Sequence, residues 1–441
     1  METEAQKPVA KETEETVVQS HTRNRGKRKP LPQDLPREII AVELKPEERF
    51  ADDGTPLKVI GKEVSEKLVY TPASMKIQEI HRLIYGLIGG DAAKTAPPIP
   101  SVIPKGIATP SLLAGIIVNK YADGLPLYRQ EEIFERHGVT LSRASMARWV
   151  VQAAEACMPL LNVLQDRLME SPYVACDETH VQVLKESGRK AESKSWMWVR
   201  TNPSDEHTIV LFEYDPSRSG DVAKKLLNDY KGYLQVDGYG GYNVLESAEE
   251  LVRIGCNMHG RRKFHDAFKN GAKNGSTLAE QGLEYYHQIY KLEEELRPLL
   301  FDERHQKRQE LAIPIWNDFE KWALENERKV PPKSKIGGAF HYFINELPYL
   351  KGYLKDGRLE ADNGFVERAI KYFAIGRNNW LFSDSEAGAN ASSLFYSFIV
   401  TAKLNEANPC QVLERILTEM PKAKTLEDVE RLADLLLIKN V

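Results

Sequence analysis

Residues 173–184 read YVACDETHVQVL and residues 232–242 read GYLQVDGYGGY, and these two stretches decide the fold. Each contains a short run of apolar, β-branched or aromatic residues that ends at an aspartate. Such runs predict buried strands, over residues 173–176 and 233–236, that are followed by Asp177 and Asp237.

The segments around these two stretches predict the rest of a sheet. Residues 196–200 and 208–214 are rich in strand-forming residues and end at turn sequences, residues 222–230 have a helical pattern, and residues 252–256 form a last apolar run. Three successive strands can form an antiparallel meander, and a strand that follows a helix can pair in parallel through a right-handed crossover. The sequence therefore predicts a mixed α/β sheet.

Three acidic residues lie where this fold would bring them together. Asp177 and Asp237 follow strands, and Glu367 lies in a helical segment with Val366 and Ala369. The carboxyl ends of parallel strands form the edge where α/β sheets bind ligands. Carboxylates there can hold hard divalent cations, and a pair of such ions can promote phosphoryl transfer. Taken singly, an aspartate at a strand end is commonly a turn former and a helical glutamate a solvated charge, so the pattern depends on all three.

Helical patterns flank the sheet on both sides. Helices are predicted over residues 109–121, 127–137 and 143–168, with a turn at Gly138 and an N-cap at Ser142. The second and third of these resemble a helix-turn-helix DNA-binding unit, although many unrelated helical proteins contain the same pattern. Residues 275–350 and the tail from residue 391 are also predicted to be helical.

Composition excludes several classes of protein. The 441 residues include 60 Lys and Arg against 64 Asp and Glu, a formal charge of −4, so the average does not indicate a nucleic-acid-binding protein. No stretch is apolar enough for a membrane span, and no signal peptide is evident. The four scattered cysteines argue against a disulfide framework and against a cysteine-based zinc module, which makes the cytoplasm the expected location.

Local basic tracts depart from that average. Residues 23–29 hold five cations, which could contact phosphates or simply be solvated. Residues 253–273 hold six cations against the single acidic Asp266, and a helix presenting them would contact phosphates: Arg253, Arg261, Arg262, Lys263, Lys269 and Lys273. With about six phosphate contacts, the affinity for DNA would fall by a factor on the order of 10³ when the salt concentration rises from 50 to 200 mM.

Five segments resemble the IS66-family transposases. They are CDETHVQVL at 176–184, LQVDGYGGYN at 234–243, GCNMHGRRKF at 255–264, DNGFVERAIKYFAIGRNNWLF at 362–382, and LPLYRQEEIFERHGVTLSRASMARWV at 125–150. The resemblance implies an RNase H-like core with a helical insertion between the second Asp and the Glu. It implies that Asp177, Asp237 and Glu367 are a DDE triad that binds two divalent ions, Mg²⁺ or alternatively Mn²⁺. It also implies DNA contacts from basic residues beside the triad: Arg261, Arg262, Lys263, Arg368, Lys371 and Arg377.

Other residues compete for these roles. Glu178 and Asp362 are alternative carboxylates, but Glu367 matches the family motif, and Asp362 is expected to start the helix. Cys256 and His259 have the C-x-x-H spacing of half a metal site, with no second pair of ligands, so no zinc is expected. The family's N-terminal zinc-binding cysteines are also missing from residues 51–57 and 84–90.

The predicted protein is therefore a transposase that cleaves DNA at the ends of an insertion sequence and joins them to target DNA. The alternatives are a catalytically silent end-binding repressor and an RNase H-like structure-selective nuclease. The resemblance further implies a homo-oligomer on DNA, accessory proteins encoded by the same element, and a bacterial cytoplasmic location at the nucleoid.

Seven segments are predicted: an arm (1–35), a small N-terminal domain (36–105), a helical DNA-binding region (106–170), the first part of the core (171–274), the insertion (275–355), the second part of the core (356–390) and a helical C-terminal domain (391–441).

Overall fold

The computed structural model describes residues 38–40, 45, 55–56, 63–65, 74–86, 93–203, 206–227, 229–248, 250–271 and 277–438. The chain divides into two compact units, Met1–Glu79 and Ile80–Val441, and every element described below belongs to the second. The arm at 1–35, with its cations at 23–29, lies outside the described residues, as does Lys273. No helix among the described residues is both long and apolar enough to cross a membrane.

The central sheet has the RNase H-like order. Its first three strands along the chain form an antiparallel meander, and two further strands extend the sheet in parallel beside the first strand of that meander. The strands are β1 (Ile84–Gly86), β2 (Ala93–Thr95), β3 (Tyr173–Lys185), β4 (Lys194–Thr201), β5 (Val210–Asp215), β6 (Gly232–Gln235), β7 (Leu251–Ile254) and β8 (Ser383–Ser385). The order across the sheet is β5-β4-β3-β6-β7, with β8 paired to the far end of β3, and β1 and β2 form a separate two-stranded ladder.

Helices precede the sheet, interrupt it and follow it, as the sequence predicts. Thr109, Ser142 and Ser334 cap the helices that they precede, each accepting a backbone N–H at the first turn. The helices are α1 (Pro110–Tyr121), α2 (Leu127–Arg136), α3 (Arg143–Met169), α4 (Gly220–Leu227), α5 (Asn257–Gly271), α6 (Leu278–Leu296), α7 (Phe301–Lys307), α8 (Ile313–Glu327), α9 (Lys335–Leu350), α10 (Gly364–Trp380), α11 (Glu386–Leu404), α12 (Pro409–Glu419) and α13 (Leu426–Asp434).

One hydrophobic core joins segments that the sequence suggested were separate. The sheet, α1, α3 and α10–α13 contribute side chains to the same buried cluster. The predicted boundary at residue 390/391 is wrong, because it falls inside α11, whose Ser397 and Thr401 hydroxyls accept hydrogen bonds from backbone N–H groups of β5. The C-terminal helices therefore cover one face of the sheet instead of forming a domain of their own.

The insertion between β7 and α10 has its own core. Helices α6, α8 and α9 pack around a cluster of aromatic rings that includes Phe264 of α5, Phe319 and Phe343. Arg308 is fully buried beside this cluster, where it pairs with Glu293 at 2.6 Å and donates to the backbone carbonyls of Tyr353, Asp356 and Leu359. These bonds tie the insertion to the segment that leads back to the sheet.

The first strand of the sheet is longer than the sequence predicts. β3 does not end at Cys176 but continues to Lys185, so Asp177 lies within the strand opposite Val199 of β4. The polar pair Asp177–Glu178 interrupts the apolar run, whereas the alternation of Thr179, Val181 and Val183 continues the strand.

Candidate active site

The sheet places Asp177 and Asp237 side by side. β3 and β6 run parallel with Ala175 opposite Gln235, and each aspartate follows two residues later on its own chain segment. Neighbouring strands lie about 4.8 Å apart, so the two carboxylates start from adjacent positions at one end of the sheet. A backbone turn holds Asp237, because its Oδ1 accepts the Tyr239 N–H at 2.9 Å.

Glu367 reaches the same edge from the first turn of α10, a helix that packs on β3. Its Oε1 lies 3.4 Å from Nη2 of Arg262, which belongs to α5. Both side chains remain partly open to solvent. The third predicted carboxylate thus faces a cation from the basic helix.

Burial and the neighbouring carboxylates both act on Asp177. Burial, followed by the charges of Glu178, Asp237 and Glu367, raises the pKa of Asp177 to about 8, although the Glu178 N–H bonds its Oδ1 at 2.8 Å. Clustered negative charges favour protonation of one member until a cation offsets them.

The donor chemistry suits a hard divalent cation, because all three groups are carboxylates at a strand edge. The described part of the chain nevertheless contains no ready-made group of three His, Cys, Asp or Glu side chains that could hold a metal ion. The ion pair between Glu367 and Arg262 is consistent with this absence, because the Glu367 carboxylate faces Arg262.

The two competing carboxylates have other partners. The Glu178 side chain is fully buried, and its oxygens accept from Tyr242 Oη at 2.6 Å and Arg218 Nε at 2.5 Å. Asp362 precedes the N-cap Asn363, and its Oδ1 accepts the N–H of Gly364, the first residue of α10, at 2.9 Å.

The predicted DNA-contacting residues divide into two groups. Five are exposed on α5 and α10, beside Glu367: Arg261, Arg262, Lys263, Arg368 and Lys371. Arg377, in contrast, points into the fold, where it donates to Thr179 Oγ1 at 3.0 Å and to the His180 carbonyl. These bonds connect α10 to β3, and they leave less of the Arg377 side chain available for DNA than in the five exposed residues.

Arg253 also differs from the sequence-based expectation, since it lies in β7 and not on the basic helix. Its side chain is 4% exposed, and its guanidinium forms ion pairs with Glu246 at 3.0 Å and Glu346 at 3.1 Å. It stacks on Tyr349 and donates to the Asp237 carbonyl at 3.3 Å. Arg253 therefore supports the turn that carries Asp237.

The insertion reaches the site through Tyr342 of α9. A Cβ placed on Gly238, the residue after Asp237, would lie 2.7 Å from the Tyr342 ring. Lys263 lies over the same ring at 5.4 Å. Burial and the nearby charges of Glu346 and Asp237 raise the pKa of Tyr342. Sequence reasoning missed this contact, because nothing in the helical pattern of α9 marks its partner.

Cys256 and His259 have different surroundings. The Cys256 thiol donates to Asn363 Oδ1 at 2.9 Å, which links the segment between β7 and α5 to the start of α10. His259 lies in the first turn of α5, where its Nδ1 is buried without a hydrogen-bond partner among the described residues. Burial lowers the pKa of His259, and the charges of Asp237 and Glu367 oppose that effect.

The helix-turn-helix candidate forms as two helices. Gly138 adopts a φ of +78° in the turn between α2 and α3, a conformation that favours glycine. The first turns of α3 expose Arg143 and Arg148, whereas Met146 and Trp149 face the core. Its role in binding DNA stays a prediction.

Two family models and several curated relatives match the chain. The family described as "Transposase IS66 family" matches residues 105–391, and "Transposase C of IS166 homeodomain" matches residues 1–40. The chain is 32% identical to the uncharacterized protein y4qI of Sinorhizobium fredii (strain NBRC 101917 / NGR234), over 96% of this chain and 81% of that protein. It is 31% identical to y4jD of the same strain, over 93% of this chain and 82% of that protein.

Proposed function

The chain belongs to the IS66 transposase family, and from this premise we propose that it cleaves DNA at the ends of an insertion sequence and joins the released 3′ ends to target DNA. The observation that supports the proposal is that Asp177 and Asp237 each lie two residues beyond paired positions on adjacent parallel strands, and that the charges of Asp237 and Glu367 both help to raise the pKa of Asp177. Three separate segments of the chain supply these carboxylates.

Asp177, Asp237 and Glu367 would hold two divalent cations, Mg²⁺ or Mn²⁺. When bound, such ions stabilise the charge that develops on the attacking and leaving oxygens of phosphoryl transfer. To bind a metal ion, Glu367 would have to release Arg262, and Asp177, with its pKa of about 8, would have to lose its proton.

The chain's own residues would bind and orient the DNA. Exposed cations on α5 and α10 lie beside Glu367, where they can neutralise phosphates on either side of the reacting bond. Arg262, once released from Glu367, would join them. The exposed start of α3 would contact the sequence at the element ends, as recognition helices do.

The assembly that acts on DNA would contain more than one copy, since two ends must be held together. Accessory proteins from the same element are further expected partners. Size-exclusion chromatography with and without end DNA tests the first of these statements directly.

A single assay tests the proposed activity. Purified full-length protein, Mg²⁺, labelled element ends and a target plasmid are scored for binding, cleavage and joining. The variant Asp237→Asn should lose cleavage and joining while binding the ends nearly as well as the wild type. Asp221→Asn, at an exposed position of α4, is the matched control and should keep both activities.

Three outcomes would overturn the proposal. Appreciable joining by Asp237→Asn would remove the triad assignment. Salt-sensitive end binding by the wild type without metal-dependent cleavage would indicate a repressor. Cleavage of branched DNA or of an RNA–DNA hybrid without joining would indicate a nuclease.

A further inference from the structure

We propose that Arg218, in the turn between β5 and α4, is a further substrate-contacting residue of this site and binds a DNA phosphate through its two terminal amino groups. The inference rests on the proposed function, because the phosphate belongs to the DNA that the site would cleave. Neither charge patterning nor the matched motifs singled out this arginine.

The surrounding residues fix the Arg218 guanidinium from one edge and from its faces. Nε donates to the buried Glu178 at 2.5 Å, and Tyr242 Oη holds the other Glu178 oxygen at 2.6 Å. The guanidinium carbon lies 3.9 Å from the centre of the Tyr239 ring and 4.8 Å from that of the Trp196 ring. Rotation of the side chain would break all of these contacts.

The same contacts connect Arg218 to the turn that carries Asp237, while Glu178 points to the face of β3 opposite the Asp177 side chain. Glu178 follows Asp177 in β3, and Tyr239 donates its N–H to Asp237 and its hydroxyl to the Arg218 carbonyl at 2.7 Å. The negative charges of Glu178 and Asp237 raise the pKa of Arg218 despite its partial burial. The guanidinium is therefore held beside the carboxylate edge and stays charged.

One edge of this guanidinium is left unused. No described residue accepts a hydrogen bond from Nη1 or Nη2, and 35% of the side chain is exposed. Two parallel N–H groups in a fixed plane match two oxygens of a phosphate, and little side-chain entropy remains to be lost on binding. A residue that served only to neutralise Glu178 would not need stacking on two rings beside the site.

The ion pair with Glu178 predicts how the contact acts. Glu178 offsets the net charge of Arg218, so the long-range attraction for DNA is small. The directed N–H groups instead orient the phosphate and oppose the charge that develops during reaction. We therefore expect a larger effect on the cleavage rate than on affinity for the ends.

The first experiment measures single-turnover cleavage at saturating end DNA with Mg²⁺. Arg218→Ala should lower the rate by about 100-fold and Arg218→Lys by at least 10-fold, as expected for loss of a directed donor, while affinity changes by less than 5-fold. Arg415→Ala, at an exposed arginine of α12, is the control and should stay within 2-fold of the wild type. Wild-type rates in both Arg218 variants would overturn the inference.

The second experiment identifies the phosphate. End duplexes that each carry one uncharged methylphosphonate are tested for binding and cleavage by wild type and by Arg218→Ala. At one or two positions the replacement should lower the cleavage rate of the wild type by about 10-fold and its affinity by less than 5-fold, and it should change neither quantity appreciably for the variant. Equal losses in both proteins at every position would overturn the inference, because a purely structural arginine is not coupled to a particular phosphate.

These readouts separate failure of the inference from failure of the proposed function. If the wild type binds ends but never cleaves them, the proposed activity fails, and the methylphosphonate scan of binding still decides whether Arg218 contacts a phosphate. If Arg218→Ala melts more than 5 °C below the wild type, Arg218→Lys replaces it in the scan, because its stem can keep the packing between the two rings.

Discussion

Replacing Asp177 by Asn should stabilise the metal-free protein, and the gain should grow as pH rises. The folded-state pKa of Asp177 is about 8, against 3.8 for an unperturbed aspartate. At about 1.4 kcal/mol per pKa unit, the raised pKa lowers the stability of the folded state by about 5 kcal/mol at pH 8 and by about 2 kcal/mol at pH 5. Because the folded pKa lies above the unfolded one, the folded chain keeps a proton that the unfolded chain has lost, and stability falls between these pH values. Asn cannot ionise, and its Oδ1 can still accept the Glu178 N–H.

The assay is thermal melting of both proteins in EDTA from pH 5 to pH 8. The stability advantage of Asp177→Asn should increase by about 3 kcal/mol over this range, which corresponds to about 3–5 °C in the difference between melting temperatures for a unit of this size. Asp221→Asn should show no such trend. A difference between Asp177→Asn and wild type that does not change with pH would refute the argument from clustered charge. Added Mg²⁺ at pH 8 should raise the melting temperature of the wild type more than that of Asp177→Asn, and an equal response would contradict only the metal proposal.

Three further predictions concern the surroundings of the triad. Gly238→Ala should destabilise the protein by about 1–3 kcal/mol, since its Cβ would lie 2.7 Å from the Tyr342 ring, and denaturant unfolding should show a smaller cost in a Tyr342→Ala background. Arg253→Met should cost about 3–5 kcal/mol, because it leaves the half-buried Glu346 without its partner, and adding Glu346→Gln should recover part of that loss in the same measurement. Replacing Arg261 and Lys263 by Ala should reduce the slope of log affinity for DNA against log salt by about 0.9 for each phosphate that the protein no longer neutralises, and an unchanged slope would remove these two residues from the DNA interface.

The sequence predicted the elements that carry the two aspartates because short-range pattern determines them. The apolar runs before Asp177 and Asp237, the crossover through α4 and the N-cap at Ser142 all depend on neighbours within a few positions. Parallel register then brings the aspartates together, since Ala175 pairs with Gln235. The predicted end of β3 at Cys176 was wrong, because Asp177 and Glu178 resemble residues that follow a strand. Only the pairing with β4 shows that the strand continues.

Long-range ion pairs could not be predicted in the same way. In the sequence Arg253 stands close to a run of exposed cations. In the structure it forms an ion pair with Glu346 of the insertion and donates a hydrogen bond to the Asp237 carbonyl. Glu178 looked like a rival of Asp177 because both follow the same apolar run. Alternation along β3 places the two side chains on opposite faces, and Glu178 faces Tyr242 and Arg218.

The positive charges around the site therefore have two different tasks, which the net charge of −4 conceals. Arg253 holds the protein side of the carboxylate edge through the Asp237 carbonyl, so substituting it should also disturb the metal-free protein, whereas Arg218 pairs with Glu178 and also leaves one edge of its guanidinium for DNA. Arg261, Lys263 and the other exposed cations have no comparable part in the fold and can be replaced at little cost in stability. A substitution that lowers melting temperature and DNA cleavage together thus indicates the first group, whereas one that changes only the salt dependence of binding indicates the second.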